Sequence, residues 1–213
     1  MVNLFREVDE ALREDRAKAL WKKYGTLAVI AVAALLLGTG GVAWWKDYRV
    51  TRDQALSAEL VAALEIAADD PQAAIAALAA LSEEAGARQG ALARLHEAGL
   101  LAGSGDRRGA IDIYHGLADD DALDAVWRDL GRLLAVLHDL DDGDPAALAE
   151  DLRPLMADDS PWRFSARELD GLLAMRRGDT ASARAIFEAL SQEEGAPSGV
   201  RDRATQLFGL LDG

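Results

Sequence analysis

The chain has 213 residues, of which 23 are basic and 37 acidic, and it contains no cysteine. This length fits one ordinary domain plus an extra segment, and the lack of cysteine excludes disulfides, thiolate nucleophiles and cysteine-ligated zinc. The formal net charge of −14 argues against nucleic-acid binding, which depends on neutralising phosphates. The composition is rich in Ala and Leu and poor in aromatic residues, which favours helices.

The first predicted element is a short amphipathic leader, residues 1–24. Its apolar residues recur every three or four positions, which indicates a helix, and Asn3 is placed to cap it. Basic residues collect towards its end, at Arg16, Lys18, Lys22 and Lys23. We expect this leader to lie on the inner membrane surface or to contact a cytoplasmic partner, and its pattern does not separate the two.

The second predicted element is a transmembrane helix over residues 25–45. No charged residue occurs from Leu27 to Trp45, a length that just crosses a hydrocarbon core of roughly 30 Å. Both ends carry rings or cations that prefer the headgroup layer, namely Trp21, Lys22, Lys23, Tyr24, Trp44, Trp45 and Tyr48. Because more basic residues precede the run than follow it, the N-terminus is predicted to be cytoplasmic and residues 46–213 to lie outside.

Three other interpretations of this segment stay open. The small residues Gly41 and Ala43 favour a cleaved signal peptide, but the preceding region is long and holds five acidic residues, unlike the short basic start of a signal. A buried helix of a soluble protein would need a polar edge that this run lacks. A reversed orientation, with the C-terminal part in the cytoplasm, is compatible with topogenic signals other than charge.

Residues 46–213 carry apolar residues at helical spacing, interrupted by the breaks "DDPQ", "GSGDRR", "DLDDGDP" and "RRGDTA". Each interval between breaks is about one helical hairpin long. Two segments, "EAGLLAGSGDRRGAIDIYHGL" and "DGLLAMRRGDTASARAIFEAL", align without a gap at an offset of 73 residues. That offset equals two units of about 36 residues, close to the tetratricopeptide period of roughly 34.

The predicted fold is therefore all-α, with one N-terminal transmembrane helix followed by an α-solenoid of degenerate tetratricopeptide-like helical hairpins. In such hairpins a small residue lets the paired helices approach, and a larger side chain one turn on fills the groove between them. The expected packing positions are Ala74, Leu78, Ala110, Tyr114, Trp127, Leu130, Gly131, Ala183 and Phe187. A generic helical bundle is the alternative.

No motif predicts catalysis or a metal site. The three histidines are not spaced for one helix face, and the chain has no phosphate-binding loop or nucleophile elbow. The stretch "DLDDGDPAALAE" places Asp139, Asp141 and Glu150 as in a calcium loop, but its turn glycine, Gly143, comes one place early. We interpret it as a helix break whose acids cap the next helix, and we expect no enzyme activity, cofactor or metal.

The leader of mixed charge, the span ending in Trp-Trp, and the stretches "RELDGLLAMRRGDTASARAIFEAL" and "ARQGALARLHEAGLL" follow one another in a recognisable order. With these features in this order, the chain resembles the YfgM-type bacterial family, whose members are known as ancillary subunits of the SecYEG translocon. The resemblance implies a single-pass inner-membrane protein with periplasmic repeats. Its implied partners are Sec translocon subunits, periplasmic chaperones and exported clients. A cell-envelope assembly scaffold not linked to the translocon is the alternative.

Overall fold

The computed structural model describes residues 44–46, 48 and 50–212. The chain divides into two compact units, Met1–Ala55 and Leu56–Gly213. In the first unit the described residues are helical. The predicted leader, and the predicted span apart from its last two residues, lie outside the described part. Within that part, no helix has both the length and the apolar character needed to cross a membrane.

The second unit is built from helices, and no strand occurs in its described residues, so the all-α prediction is confirmed there. Its first helix, α1, covers residues 56–66. The others are α2 (Pro71–Glu84), α3 (Ala87–Gly103), α4 (Arg107–Ala118), α5 (Ala125–Asp139), α6 (Pro145–Leu152) with a 3-10 turn (Arg153–Met156), α7 (Arg163–Arg176), α8 (Thr180–Gln192) and α9 (Ser198–Leu211).

The helices of this unit pair as successive hairpins. Each helix from α2 onward packs against the next one in the chain, and α7 also contacts α5 and α9. The hairpins are α1–α2, α3–α4, α5–α6 and α7–α8, and α9 follows as a single last helix. This near-neighbour packing is the arrangement expected of an α-solenoid, because a lone hairpin cannot bury its apolar side.

An aspartate begins the second helix of every hairpin. The carboxylates of Asp70, Asp106, Asp144 and Asp179 accept hydrogen bonds from backbone N–H groups at the starts of α2, α4, α6 and α8. Such caps satisfy donors that a helix terminus leaves unpaired. The first helices of the hairpins α3–α4, α5–α6 and α7–α8 have no side-chain cap. The predicted breaks are therefore the tight turns inside the hairpins.

Two of these turns are the same structure at the two aligned positions. Gly105 has φ +96° and Gly178 has φ +75°, a region that glycine enters without a Cβ penalty. The next residue donates its N–H five residues back in both, from Asp106 to Leu101 O (2.9 Å) and from Asp179 to Ala174 O (2.9 Å). Each turn is a Schellman motif that ends the first helix of its hairpin. The aspartate of the turn is also the N-cap of the next helix.

The core of the unit is a series of four apolar clusters, each shared by consecutive helices. They involve α1–α3, α3–α5, α5–α7 and α7–α9. The first helices α3, α5 and α7 each contribute to two clusters. The clusters thereby join neighbouring hairpins into one stack. The largest fully buried side chain of the described residues, Phe187 of α8, belongs to the last cluster.

Candidate protein-binding surfaces

Seven of the nine predicted packing residues are buried. Ala74, Leu78, Ala110, Ala183 and Phe187 are fully buried, and Tyr114 is 3% exposed. Gly131 is buried as well, whereas Trp127 and Leu130 are partly buried. The seven buried residues therefore belong to the scaffold and are not available to a partner.

Two glycines allow the closest approaches between helices. A Cβ on Gly131 of α5 would lie 2.8 Å from Tyr114 O and 2.9 Å from Ala118 N, both in the backbone of α4. A Cβ on Gly171 of α7 would lie 2.7 Å from the ring of Phe187. Gly171 was not among the predicted positions, although it lies inside the aligned repeat, 16 residues before that Phe.

Three of the predicted membrane-interface residues are described, and they form an exposed aromatic cluster in the first unit. Trp44, Trp45 and Tyr48 are 68%, 50% and 52% exposed. The Tyr48 ring lies 6.0 Å from the Trp44 ring and 6.3 Å from the Trp45 ring, centroid to centroid. The other four, Trp21, Lys22, Lys23 and Tyr24, lie outside the described residues.

The first candidate surface is a groove between α1 and α2, which we call the end groove. It encloses about 500 Å³, within the usual range for binding sites. Its described lining consists of Glu59, Ala62, Ala63 and Ile66 from α1 and Ala77, Ala80, Leu81 and Glu84 from α2. The floor is therefore apolar and made largely of small side chains, with one carboxylate on each helix.

Most of the α2 lining of the end groove lies around the helix from the closest contact with α3. A Cβ on Gly90 of α3 would lie 2.9 Å from Ser82 O, which marks the side of α2 that receives α3. At about 100° per residue, Ala77, Ala80 and Glu84 lie roughly 140–160° around α2 from Ser82. Leu81, by contrast, belongs both to this lining and to the apolar cluster that α3 shares, so the end groove adjoins the contact with α3.

The second candidate surface crosses α2, α3 and α4, and we call it the lateral groove. It encloses about 440 Å³. Its described lining consists of Ala79, Ala80, Ser82, Glu83, Arg94, Glu97, Ile113 and Gly116. Unlike the end groove it contains an arginine.

The arginine of the lateral groove, Arg94, is already engaged within the chain. Arg94 donates to Asp120 at 2.7 Å, and this hydrogen bond is the main reason that the pKa of Asp120 lies below its ordinary value. Burial raises the pKa of Glu97, and the positive charge of Arg94 partly offsets this increase. The guanidinium of the lateral groove is thus compensated within the chain.

Three contacts join equivalent parts of neighbouring hairpins, and a fourth joins the last hairpin to α9. Arg107 pairs with Asp142, 35 residues on, and Trp162 Nε1 donates to Val126 O, 36 residues back. The guanidinium of Arg176 donates to Leu140 O, also 36 residues back. Each separation is about one repeat long. Residues one sequence period apart are therefore in contact in the folded chain.

The fourth of these contacts is an ion pair that the sequence pattern did not reveal. Arg203 of α9 donates to Glu168 of α7 through Nε to Oε1 at 2.5 Å and through Nη2 to Oε2 at 2.7 Å. The residue Glu168 is buried, at 8% exposure. Hydrogen bonding to Glu168 raises the pKa of Arg203, so the guanidinium stays charged. The sequence signal that could have indicated this pair was a charged residue, Glu168, on the otherwise apolar face of α7.

Metal ligation finds no support in the described residues, where no group of three potential ligands is assembled. In the stretch resembling a calcium loop, the carboxylate of Asp144 accepts from Ala146 N at 3.3 Å. It acts as the cap of α6, as predicted from the sequence.

Comparison with known proteins gives one match. A family model described as a tetratricopeptide repeat-like domain matches residues 18–206, a range that includes the uncharged run. Searches of curated proteins and of solved structures gave no match.

Proposed function

The chain belongs to the tetratricopeptide repeat-like domain family, and we propose that it is a membrane-anchored, non-enzymatic module for protein interaction. The observation that carries this proposal is the stack of hairpins, because stacked repeats present extended surfaces that commonly bind proteins. The two grooves, which lie in the first two hairpins, are concave surfaces of suitable size.

We further propose that the run from Leu27 to Trp45 anchors the repeats on the outer side of the bacterial inner membrane. The exposed aromatic cluster at Trp44, Trp45 and Tyr48 supports this part, because such rings favour the headgroup layer. Tethering would raise the concentration of the repeat surface near a membrane partner without any new contact. The proposed partners are Sec translocon subunits, periplasmic chaperones and exported proteins, as the family resemblance implies.

The test is crosslinking in intact membranes with the full chain. Because the native chain has no cysteine, one introduced cysteine, such as Ala185→Cys on the exposed side of α8, reports from a single place. Capture of translocon subunits is expected. Capture of cell-wall or outer-membrane machinery without translocon subunits would instead favour an envelope scaffold and overturn the assigned partners.

A truncation tests the role of the tether. The chain without residues 1–45, once its helical circular dichroism is verified, is expected to keep weak partner binding and to lose association with the translocon. Full association without the span would contradict the tethering mechanism.

A further inference from the structure

The lateral groove lies where the first hairpin meets the second. It is lined from α2, α3 and α4, and the structure describes these three helices from end to end. Much of its wall is small or aliphatic, namely Ala79, Ala80, Ile113 and Gly116. A Cβ on Gly116 would meet nothing within 4 Å, so the α4 side of the groove has room for a side chain of another molecule.

The charges of the lateral groove do not balance, even when its internal ion pair is counted. Arg94 is the one basic residue of the described lining, and it pairs with Asp120 at 2.7 Å. Glu83 and Glu97 are further lining residues, and Glu83 is exposed. Three carboxylates therefore share one guanidinium, and the groove keeps a net negative charge.

Glu97 is the carboxylate that would gain most from a cation. It is partly buried, and this burial raises its pKa more than the positive charge of Arg94 lowers it. Within the described part of the chain, no hydrogen bond reaches the Glu97 carboxylate. A cation beside it would favour the ionised form that burial disfavours.

The aligned repeat supplies a comparison within the same chain. At the offset of 73 residues, three partly buried groove residues correspond to three partly buried residues of α7 and α8: Arg94 to Arg167, Glu97 to Asp170, and Ile113 to Ile186. Glu83, however, corresponds to Met156, and Ala80 corresponds to Arg153. The equivalent place in the last hairpins is therefore similar in frame but less acidic.

We propose that the lateral groove holds a Lys or Arg side chain from a basic segment of a partner protein. The aliphatic stem of that side chain would lie along Ile113 and the alanines, with its charged end beside Glu83 and Glu97. A second copy of this chain is disfavoured as the occupant, since each copy has a formal net charge of −14. The inference rests on the proposed function as a protein-interaction module, and it adds a surface and a partner chemistry.

Disulfide exchange on the full chain tests the proposal, since the native chain has no cysteine. Gly116→Cys places a thiol at the groove, and Ala189→Cys places one at the equivalent, exposed position of α8 as the matched control. The probes are two short synthetic peptides, each with one activated disulfide, that differ in a single residue beside it. One peptide has Lys there, and the other has norleucine, which keeps the aliphatic stem without the charge.

The measured quantity is the lysine preference, the exchange rate of the Lys peptide divided by that of the norleucine peptide. This ratio cancels differences in intrinsic reactivity between the two thiols. We expect a preference of about tenfold at Gly116→Cys, and of at most about threefold at Ala189→Cys, where the acidic chain as a whole attracts the peptide.

Two substitutions that each remove one partly buried carboxylate assign the effect. Glu97→Gln, added to Gly116→Cys, should lower the lysine preference about threefold. Asp170→Asn, at the equivalent position of α7, should leave it unchanged. Both variants are first compared by circular dichroism, so that a loss of fold is not taken for a loss of binding.

Equal lysine preferences at the two thiols would overturn the proposal. So would an equal effect of Glu97→Gln and Asp170→Asn, because attraction to the acidic chain as a whole would then explain the preference. Slow exchange of Gly116→Cys with both peptides, relative to Ala189→Cys, would also overturn it by showing that the groove is covered. If the preference is absent while crosslinks to translocon subunits persist, the proposed function stands and this inference alone falls.

Discussion

Glu168 of α7 and Arg203 of α9, 35 residues apart, share two hydrogen bonds between a side chain that is 11% exposed and one that is 56% exposed. The Glu168 carboxylate is therefore largely removed from water, whereas the Arg203 guanidinium remains exposed to water. A buried carboxylate needs its partner, because an unpaired buried charge is strongly destabilising. This pair fixes the last helix against the last hairpin.

The first prediction concerns that pair. Arg203→Ala should lower the free energy of unfolding by about 2 kcal/mol, since it leaves the Glu168 carboxylate buried without its charged donor. The control is Arg153→Ala, whose side chain is 75% exposed and pairs with Glu150 on the same surface. It should cost less than about 0.5 kcal/mol. Urea unfolding of the purified full chain, followed by circular dichroism, measures both, and equal losses would contradict the structural role.

The second prediction concerns the close approach at Gly171. Gly171→Ala should destabilise the chain by about 2 kcal/mol, because its Cβ would meet the buried ring of Phe187, which has no room to move. Gly99→Ala in α3 has nothing within 4 Å of its Cβ. It should stabilise the chain by up to about 1 kcal/mol through helix propensity. Opposite signs in the same unfolding assay are expected, and a neutral Gly171→Ala would refute the contact.

The third prediction concerns the two equivalent turns. Gly105→Ala and Gly178→Ala should each cost about 1–2 kcal/mol, because both glycines have positive φ. Asp106→Ala and Asp179→Ala should each cost about 1 kcal/mol through loss of the cap. Within each pair, the two losses of stability should agree within about 0.5 kcal/mol in thermal unfolding. Agreement would mean that the equivalent turns contribute equally to stability. A neutral change in one turn would show that the repeats are not equivalent.

The fourth prediction is a pH dependence that originates at His138. Its ring stacks on Tyr114 at 5.2 Å, and burial, with a smaller contribution from the positive charge of Arg107, holds its pKa below its ordinary value of 6.5. The folded chain therefore favours the neutral ring. This contribution to stability is fully present above about pH 6.5 and declines as the pH falls through that value.

A substitution isolates this dependence. His138→Phe keeps an aromatic ring beside Tyr114 but cannot titrate, so it should flatten the stability profile between about pH 7.5 and 5.5. Glu97 and Asp170 change the stability in the opposite direction as the pH falls, because burial raises the pKa of each carboxyl group. Acidic groups contribute mainly at lower pH. An unchanged profile in the His138→Phe variant would assign the dependence to other groups.

Much of the repeat architecture was predictable from the sequence because each signal was local. Helical periodicity and Asp- or Gly-rich breaks are set within a few residues, and the aligned segments revealed the period through Gly105 and Gly178. The contact between Glu168 and Arg203 was not predictable, since it depends on how α9 lies against α7 one repeat away. The end groove was also missed, because an alanine such as Ala77 has the same local pattern whether it faces a neighbouring helix or solvent.

We propose above that a membrane anchor holds the repeats on the outer side of the inner membrane. Labelling single-cysteine variants with a membrane-impermeant maleimide tests it, together with carbonate extraction and intact mass. We expect Ala185→Cys to be labelled in cells with a permeabilised outer membrane and Asn3→Cys only after lysis, both as full-length, carbonate-resistant chains. Reversed labelling, or a soluble product that lacks the first 45 residues, would contradict the claim.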